Sequence, residues 1–177
     1  YIMKVALSLN LRFEVHVSTQ LSSNNTKVIE FFKEFGVHRV VLGRECTISE
    51  IKEIKKKSPL DIEVFIHGGL CSSYSGRCTL SNNLCNRDAN RGGCAHSCRW
   101  FYDLYFNDKK VNDDEHKFRI GSKDLCGVNQ LINLLDAGVD SLKIEGRMKS
   151  LHYIATVVNN YRKLIDAYYE NRVTNEL

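Results

Sequence analysis

No uninterrupted apolar run in the 177-residue chain approaches the roughly 20 residues a membrane-spanning helix needs, so no membrane span is expected. The opening Tyr1-Ile2-Met3-Lys4 does not read as a start followed by a secretory leader, and the chain is expected to be a piece of something longer. No CxxC pair is present, which leaves a zinc knuckle or ribbon with little support. No HExxH helix and no Ser-His-Asp arrangement is visible, so hydrolytic machinery of those two kinds is not indicated. Proline occurs once, at Pro59, where it ends a helical segment. A disordered chain is excluded as well, because 43% hydrophobic and 26% charged residues is ordinary globular composition.

What the chain does have is cysteine. There are seven, and six of them lie between Cys71 and Cys126. An odd count with no secretory leader argues against a disulfide scaffold and for a cytoplasmic protein that binds metal or uses thiolate chemistry. The net charge of +4 permits RNA or another polyanion as partner without requiring one.

Short β-type runs recur at Arg12–Ser18, His38–Gly43, Ile62–His67, Phe118–Gly121 and Ser141–Glu145, and helical patterns fall between most of them. Thr26–Phe35 is stopped by Gly36, Val128–Ala137 by Gly138, and Thr47 with Glu50 makes a capping box. Leu151–Tyr169 carries one apolar stripe at helical spacing. The segment from Phe35 to Arg44 echoes that from Ala137 to Arg147: helix, glycine stop, valine, strand, arginine. Alternating β and α units predict an α/β fold with parallel strands. The repeat predicts part of a TIM-type (β/α) barrel, whose full form takes eight strands and about 250 residues. An open doubly wound sheet is the alternative. Residues 1–150 are expected to form the partial barrel, with 70–117 as a cysteine-rich, hairpin-like insertion and 151–177 as a C-terminal helix.

Barrels carry their reactive groups at the C-terminal ends of strands. Here those ends bring Arg44 and Glu45, then His67, then Lys123 and Asp124, then Glu145 and Arg147, all taken as candidate catalytic or binding residues. Arg44 and Arg147 suit a bidentate grip on carboxylate or phosphate. The long, irregular cysteine spacing is compatible with an iron–sulfur cluster, whose thiolates come from separate loops. Cys71 and Cys126 each follow a strand end and can meet over one barrel mouth. Buried inert thiols, or a catalytic cysteine working with His67, remain alternatives.

The run from Glu63 to Cys71 (EVFIHGGLC), followed by Tyr74-Ser75-Gly76-Arg77-Cys78, resembles the signature of the U-thirty-two collagenase-like peptidase family. So do the segments from Arg87 to Trp100, His16 to Gln20, Ser122 to Cys126 and Ile144 to Lys149, with Gly69 standing where alanine is usual. Within that family the Ser-Lys-Asp-Leu-Cys motif is most similar to the branch of prephenate-dependent tRNA wobble-uridine hydroxylases. The resemblance implies a 4Fe-4S cluster on Cys71, Cys78, Cys94 and Cys126, with Cys98 in reserve and Cys46 and Cys85 outside the site. It further implies prephenate, a small dicarboxylate, as oxygen donor, tRNA as substrate with 5-hydroxyuridine as product, and a partner protein of the same family. Arg77, Arg87, Arg91 and Arg99 would then face RNA phosphates, and Trp100 or Tyr102 would stack on a base. Collagenase-like proteolysis and a non-catalytic, cluster-bearing accessory role are the alternatives.

Overall fold

The computed structural model describes residues 1–9, 12–113, 115 and 118–172. In chain order the elements are α1 (Ile2–Ser8), β1 (His16–Val17), α2 (Thr26–Glu34), β2 (Arg39–Val41), α3 (Ile48–Lys57), β3 (Asp61–Gly68), α4 (Leu80–Cys85), β4 (Tyr105–Phe106), β5 (Lys109–Lys110), β6 (Leu125–Cys126), α5 (Leu131–Asp136), β7 (Ser141–Glu145) and α6 (Leu151–Tyr169). Their ends follow local chemistry. Asn25 and Ser150 cap α2 and α6 by accepting from the Val28 and Tyr153 N–H groups. Thr47 and Glu50 form the expected reciprocal box at α3.

The two halves of the internal echo stop their helices identically. Gly36 and Gly138 have φ near +75° and +73°. In each the glycine N–H bonds three residues back and the next valine N–H bonds five residues back, the paired bonds of a Schellman motif. A strand of the same sheet follows each.

Strands β1, β2, β3 and β7 run parallel, in the order β1-β2-β3-β7. The register sets Arg39 against Asp61, Val41 against Glu63, and Phe65 against Lys143. Near its end β3 slips by one residue, so that His67 rather than Ile66 lies opposite Ile144. This bulge has a consequence for the site, because it reverses which face His67 presents. The short β6 pairs antiparallel with His67 and Gly68, on the edge that β2 vacates.

Ile62, Val64 and Ile66 of β3 form one buried cluster with Val17, Val40 and Leu42. Ile29 and Phe32 of α2, Ile51 and Ile54 of α3, Leu131 and Leu134 of α5, and Tyr161 of α6 complete it. These helices therefore cover one face of the sheet. The other face carries Arg39, Asp61, Glu63 and Lys143 beside Val41 and Phe65. Glu63, only 8% exposed, bonds Lys143 Nζ at 2.9 Å and Ser141 Oγ at 3.0 Å, and Arg39 bridges Asp61 at 3.1 Å.

Several expectations need correction. The first strand is confined to His16–Val17, and Asn10 and Leu11, just before the expected Arg12 start, lie outside the described residues. Phe118–Gly121 is a turn rather than a strand: the Gly121 N–H donates to Phe118 O, and the Phe118 ring packs on Phe101 at 4.6 Å. The expected all-parallel order is broken by β6, so Lys123 and Asp124 precede an antiparallel strand instead of closing a parallel one. Within the expected hairpin-like insertion, β4–β5 turns at Asn107 and Asp108, both with positive φ. Of the expected 151–177 helix, Leu151–Tyr169 is helical, and 173–177 lie outside the described residues. Asp114, His116 and Lys117, at the end of the expected insertion, do so too. Among the described residues no helix is long and apolar enough to cross a membrane.

Candidate functional site

A cavity of about 380 Å³ opens at the C-terminal ends of the parallel strands. Its wall comes from the strand ends and from the segment that follows β3. Cys71, Cys78, Cys94 and Cys98 line it, together with Arg44, Arg77, Arg99 and Arg147. Glu145 is the one carboxylate among its lining residues. Such a wall favours a bound anion. His96 registers the same field. Burial lowers its pKa, Glu145 opposes this, and Arg147, Arg99 and Arg87 lower it further. Burial raises the Cys71 thiol, opposed by the Ser73 N–H and by Arg44, while Cys78 and Cys98 add to the rise.

Arg44 reaches the cavity over a ring. Its guanidinium lies 4.1 Å from the Phe65 centroid, and its Nε is buried without a hydrogen-bond partner among the described residues. Stacking rather than hydrogen bonding therefore sets the plane of the fork.

The expected site residues divide into three groups. Arg44, Cys71, Cys78, Cys94, Glu145 and Arg147 meet at the cavity. His67 and Cys126 do not line it. The β3 bulge turns His67 toward α6, where Nδ1 lies 3.2 Å from the Tyr161 hydroxyl and the ring sits 5.9 Å from that of Tyr153. Cys126 is directly opposite His67 on β6 and is exposed. Burial, and then Cys126, push the Tyr161 phenol up to about 12, and its hydroxyl donates to Ile66 O. The third group is outside the cavity too. Asp124 accepts from Arg99 at 3.1 Å and from Lys149, and Lys123 is exposed beside it. Glu45 lies beneath the 71–78 loop and accepts from the Ser75 N–H.

Of the aromatics, Tyr102 donates its hydroxyl to Ser97 O, whereas Trp100 is exposed. Cys46 is half-buried and its thiol donates to Asn24 Oδ1; burial first, then Glu50 and Glu45, push its pKa to about 11. Cys85 lies 3.5 Å from the Ser97 hydroxyl. Residues that sequence reasoning passed over are His96, Asn90 and Ser75. All three sit inside the quoted motifs, so the signal was present, but as spacing rather than as chemistry.

The thiols suit an iron–sulfur cluster in kind. Four face one positively charged hollow, and a dianionic cluster is stabilised by surrounding arginines. Among the described residues no three His, Cys, Asp or Glu side chains converge closely enough for a single ion. A cubane spreads its thiolates more widely than one tetrahedral ion does, so this does not count against a cluster.

The family model described as Peptidase family U32 matches residues 1–177. The chain belongs to this family. It is 52% identical to tRNA hydroxylation protein P1 of Bacillus subtilis over 88% of this chain and 38% of the relative. It is 38% identical to the 23S rRNA 5-hydroxycytidine C2501 synthase of Escherichia coli, over 90% of this chain and 24% of that protein. It is 37% identical to a protein named Collagenase from Porphyromonas gingivalis, over 88% and 40%. The chain thus spans less than half the length of these relatives. No solved structure matches it.

Proposed function

We propose that this U32 chain carries the reactive centre of a cytoplasmic enzyme that hydroxylates RNA, forming 5-hydroxyuridine at the tRNA wobble position. The observation that carries the reading is the cavity itself: four thiols and four arginines against one carboxylate, at the strand ends. Relatives named for tRNA and rRNA hydroxylation support it.

Cys71, Cys78 and Cys94 would supply three thiolates to a 4Fe-4S cluster. The fourth is Cys126, as the family resemblance implies, or Cys98, which lines the cavity. Such a cluster supplies electron-transfer and oxygen-activating chemistry when bound. The chain's own residues do the rest. Arg44 and Arg147 would hold a small dicarboxylate such as prephenate through paired charge-assisted bonds, and Glu145, the one carboxylate of the lining, would keep a bound anion toward the arginine side. Arg77 and Arg99 at the rim would meet RNA phosphates, which position the strand without reading its bases. Helices α2, α3, α5 and α6, packed together on one sheet face, fit a barrel wall better than a doubly wound sheet, which carries helices on both faces.

The test is nucleoside analysis of tRNA from a strain lacking the gene, complemented with full-length protein. Wild type should restore 5-hydroxyuridine, and Cys71→Ala should not, because a cluster missing a ligand is easily lost. Iron content of Cys98→Ala and Cys126→Ala decides the fourth thiolate. Gelatin cleavage by metal-free protein, with modification unchanged in Cys71→Ala, would establish the peptidase reading. Iron-replete protein that restores no modification unless a second family member is present would establish the accessory one.

A further inference from the structure

The backbone between Cys71 and Cys78 is held from outside by side chains. Ser75 is 3% exposed, and each of its polar groups is engaged. Its N–H donates to Glu45 Oε1 at 2.5 Å, its hydroxyl accepts from the Arg44 N–H at 3.3 Å, and its carbonyl accepts from the Ser22 hydroxyl. The adjacent Tyr74 hydroxyl accepts from Asn24 Nδ2 at 2.9 Å. At the far end of the loop, Asn90 pairs with the main chain of Cys78. Its Nδ2 donates to Cys78 O at 2.8 Å and its Oδ1 accepts from the Cys78 N–H at 3.1 Å. Asn90 is in turn anchored by Asp88, which accepts its N–H at 2.9 Å.

None of these bonds consumes a thiol. We propose that Glu45 and Asn90 are positioning residues for metal capture: they hold the main chain of Cys71 to Cys78 against the cavity before any metal arrives. The proposal rests on the cluster reading above. It reassigns Glu45, expected from the strand-end pattern to be catalytic. Its Oε1 is committed to Ser75, its Oε2 is buried with no partner among the described residues, and it does not line the cavity. A loop ordered on folding need not be ordered again when metal binds, so capture is tighter and loss slower. Asn90 is matched to its task, since a side-chain amide offers both a donor and an acceptor to one residue's backbone.

The test uses the full-length protein reconstituted anaerobically with ferrous iron and sulfide. Iron content, visible absorption and the rate of iron loss to a chelator are measured, alongside amide hydrogen exchange of the metal-free protein. Asn90→Ala and Glu45→Ala should lose iron roughly ten- to a hundredfold faster than wild type. Asn90→Asp, which keeps the acceptor but not the donor, should fall between. Glu45→Gln, which keeps an oxygen for the Ser75 N–H, should restore slow loss, a rescue that would not follow if the carboxylate moved protons. In metal-free wild type the Ser75 and Cys78 amides should be protected, and they should exchange faster in the alanine variants while those of Ile62–Ile66 do not change. Should an alanine variant fail to fold, Asn90→Asp and Glu45→Gln carry the comparison. Wild-type iron loss in the Asn90 and Glu45 variants, or unprotected Ser75 and Cys78 amides in metal-free wild type, overturns the proposal. Wild-type protein that takes up no iron while those amides stay protected overturns the cluster reading, and the metal-capture role falls with it.

Discussion

Replacing Phe65 by leucine removes the ring beneath the Arg44 guanidinium while leaving the arginine in place. The ring centroid is 4.1 Å from that guanidinium and 5.4 Å from Lys143 Nζ, so Phe65 is flanked by two cations. With Nε buried and unpartnered among the described residues, the ring is what fixes the plane of the fork. A cation–π contact of this kind contributes about 0.5–2 kcal/mol according to its shielding. A bidentate grip on a carboxylate contributes about 1.5–3 kcal/mol. Arg44→Ala removes both and should raise the half-saturating concentration of the carboxylate donor roughly ten- to a hundredfold. Phe65→Leu removes only the orientation and should raise it roughly two- to tenfold. Arg44→Lys keeps the charge without the fork and should fall between. The assay is hydroxylated nucleoside formed by full-length protein on tRNA, measured as a function of carboxylate concentration. If Arg44→Ala lowers the maximal rate with half-saturation unchanged, Arg44 does not hold the ground-state carboxylate. If Phe65→Leu behaves as wild type while Arg44→Ala shifts tenfold, the ring does not set the fork.

Two further consequences follow from the same face and loop. Gly76 has φ +73°, and a Cβ there would meet Gln20 O at 2.1 Å, so Gly76→Ala should cost at least about 2 kcal/mol and lower Tm by several degrees in thermal unfolding. An unchanged Tm would mean the loop does not seat on the Thr19–Leu21 turn. Burial alone would push the Glu63 carboxyl up, but the bonds from Lys143 and Ser141 and the charges of Lys143 and Arg39 outweigh it and hold the group below its ordinary value of 4.5. Its ionised form therefore contributes stability that is fully present above 4.5 and is lost as pH falls through the lowered value. Lys143→Met should abolish much of that acid-side loss in denaturant titrations below pH 5; identical profiles for the two proteins would show that Lys143 does not depress Glu63.

The features legible in the sequence are those whose hydrogen bonds close within a few residues. The Thr47–Glu50 box, the helix stops at Gly36 and Gly138, and the Leu151–Tyr169 helix each bond within five positions along the chain. Strand Ser141–Glu145 was legible too, because apolar Leu142 and Ile144, which pack against the core, alternate with polar Ser141, Lys143 and Glu145. The motifs that carry Cys71, Cys78 and Cys94 are legible as well, and those three residues line the cavity. The sheet settled what lies across long separations. Arg99, Asp124 and Lys149 join three distant segments, and no local pattern announces that ion-pair chain. Phe118–Gly121 has strand-like composition but pairs with no strand among the described residues, and a strand without a ladder is only a turn. His67 and Cys126 show the point most sharply. Both looked like members of the cavity, and one extra residue in the β3 register turned His67 to the opposite face, toward Tyr161, with Cys126 beside it. Residue type and spacing are written in the chain, but the face a strand residue presents depends on pairing with partners some 60 to 80 positions away.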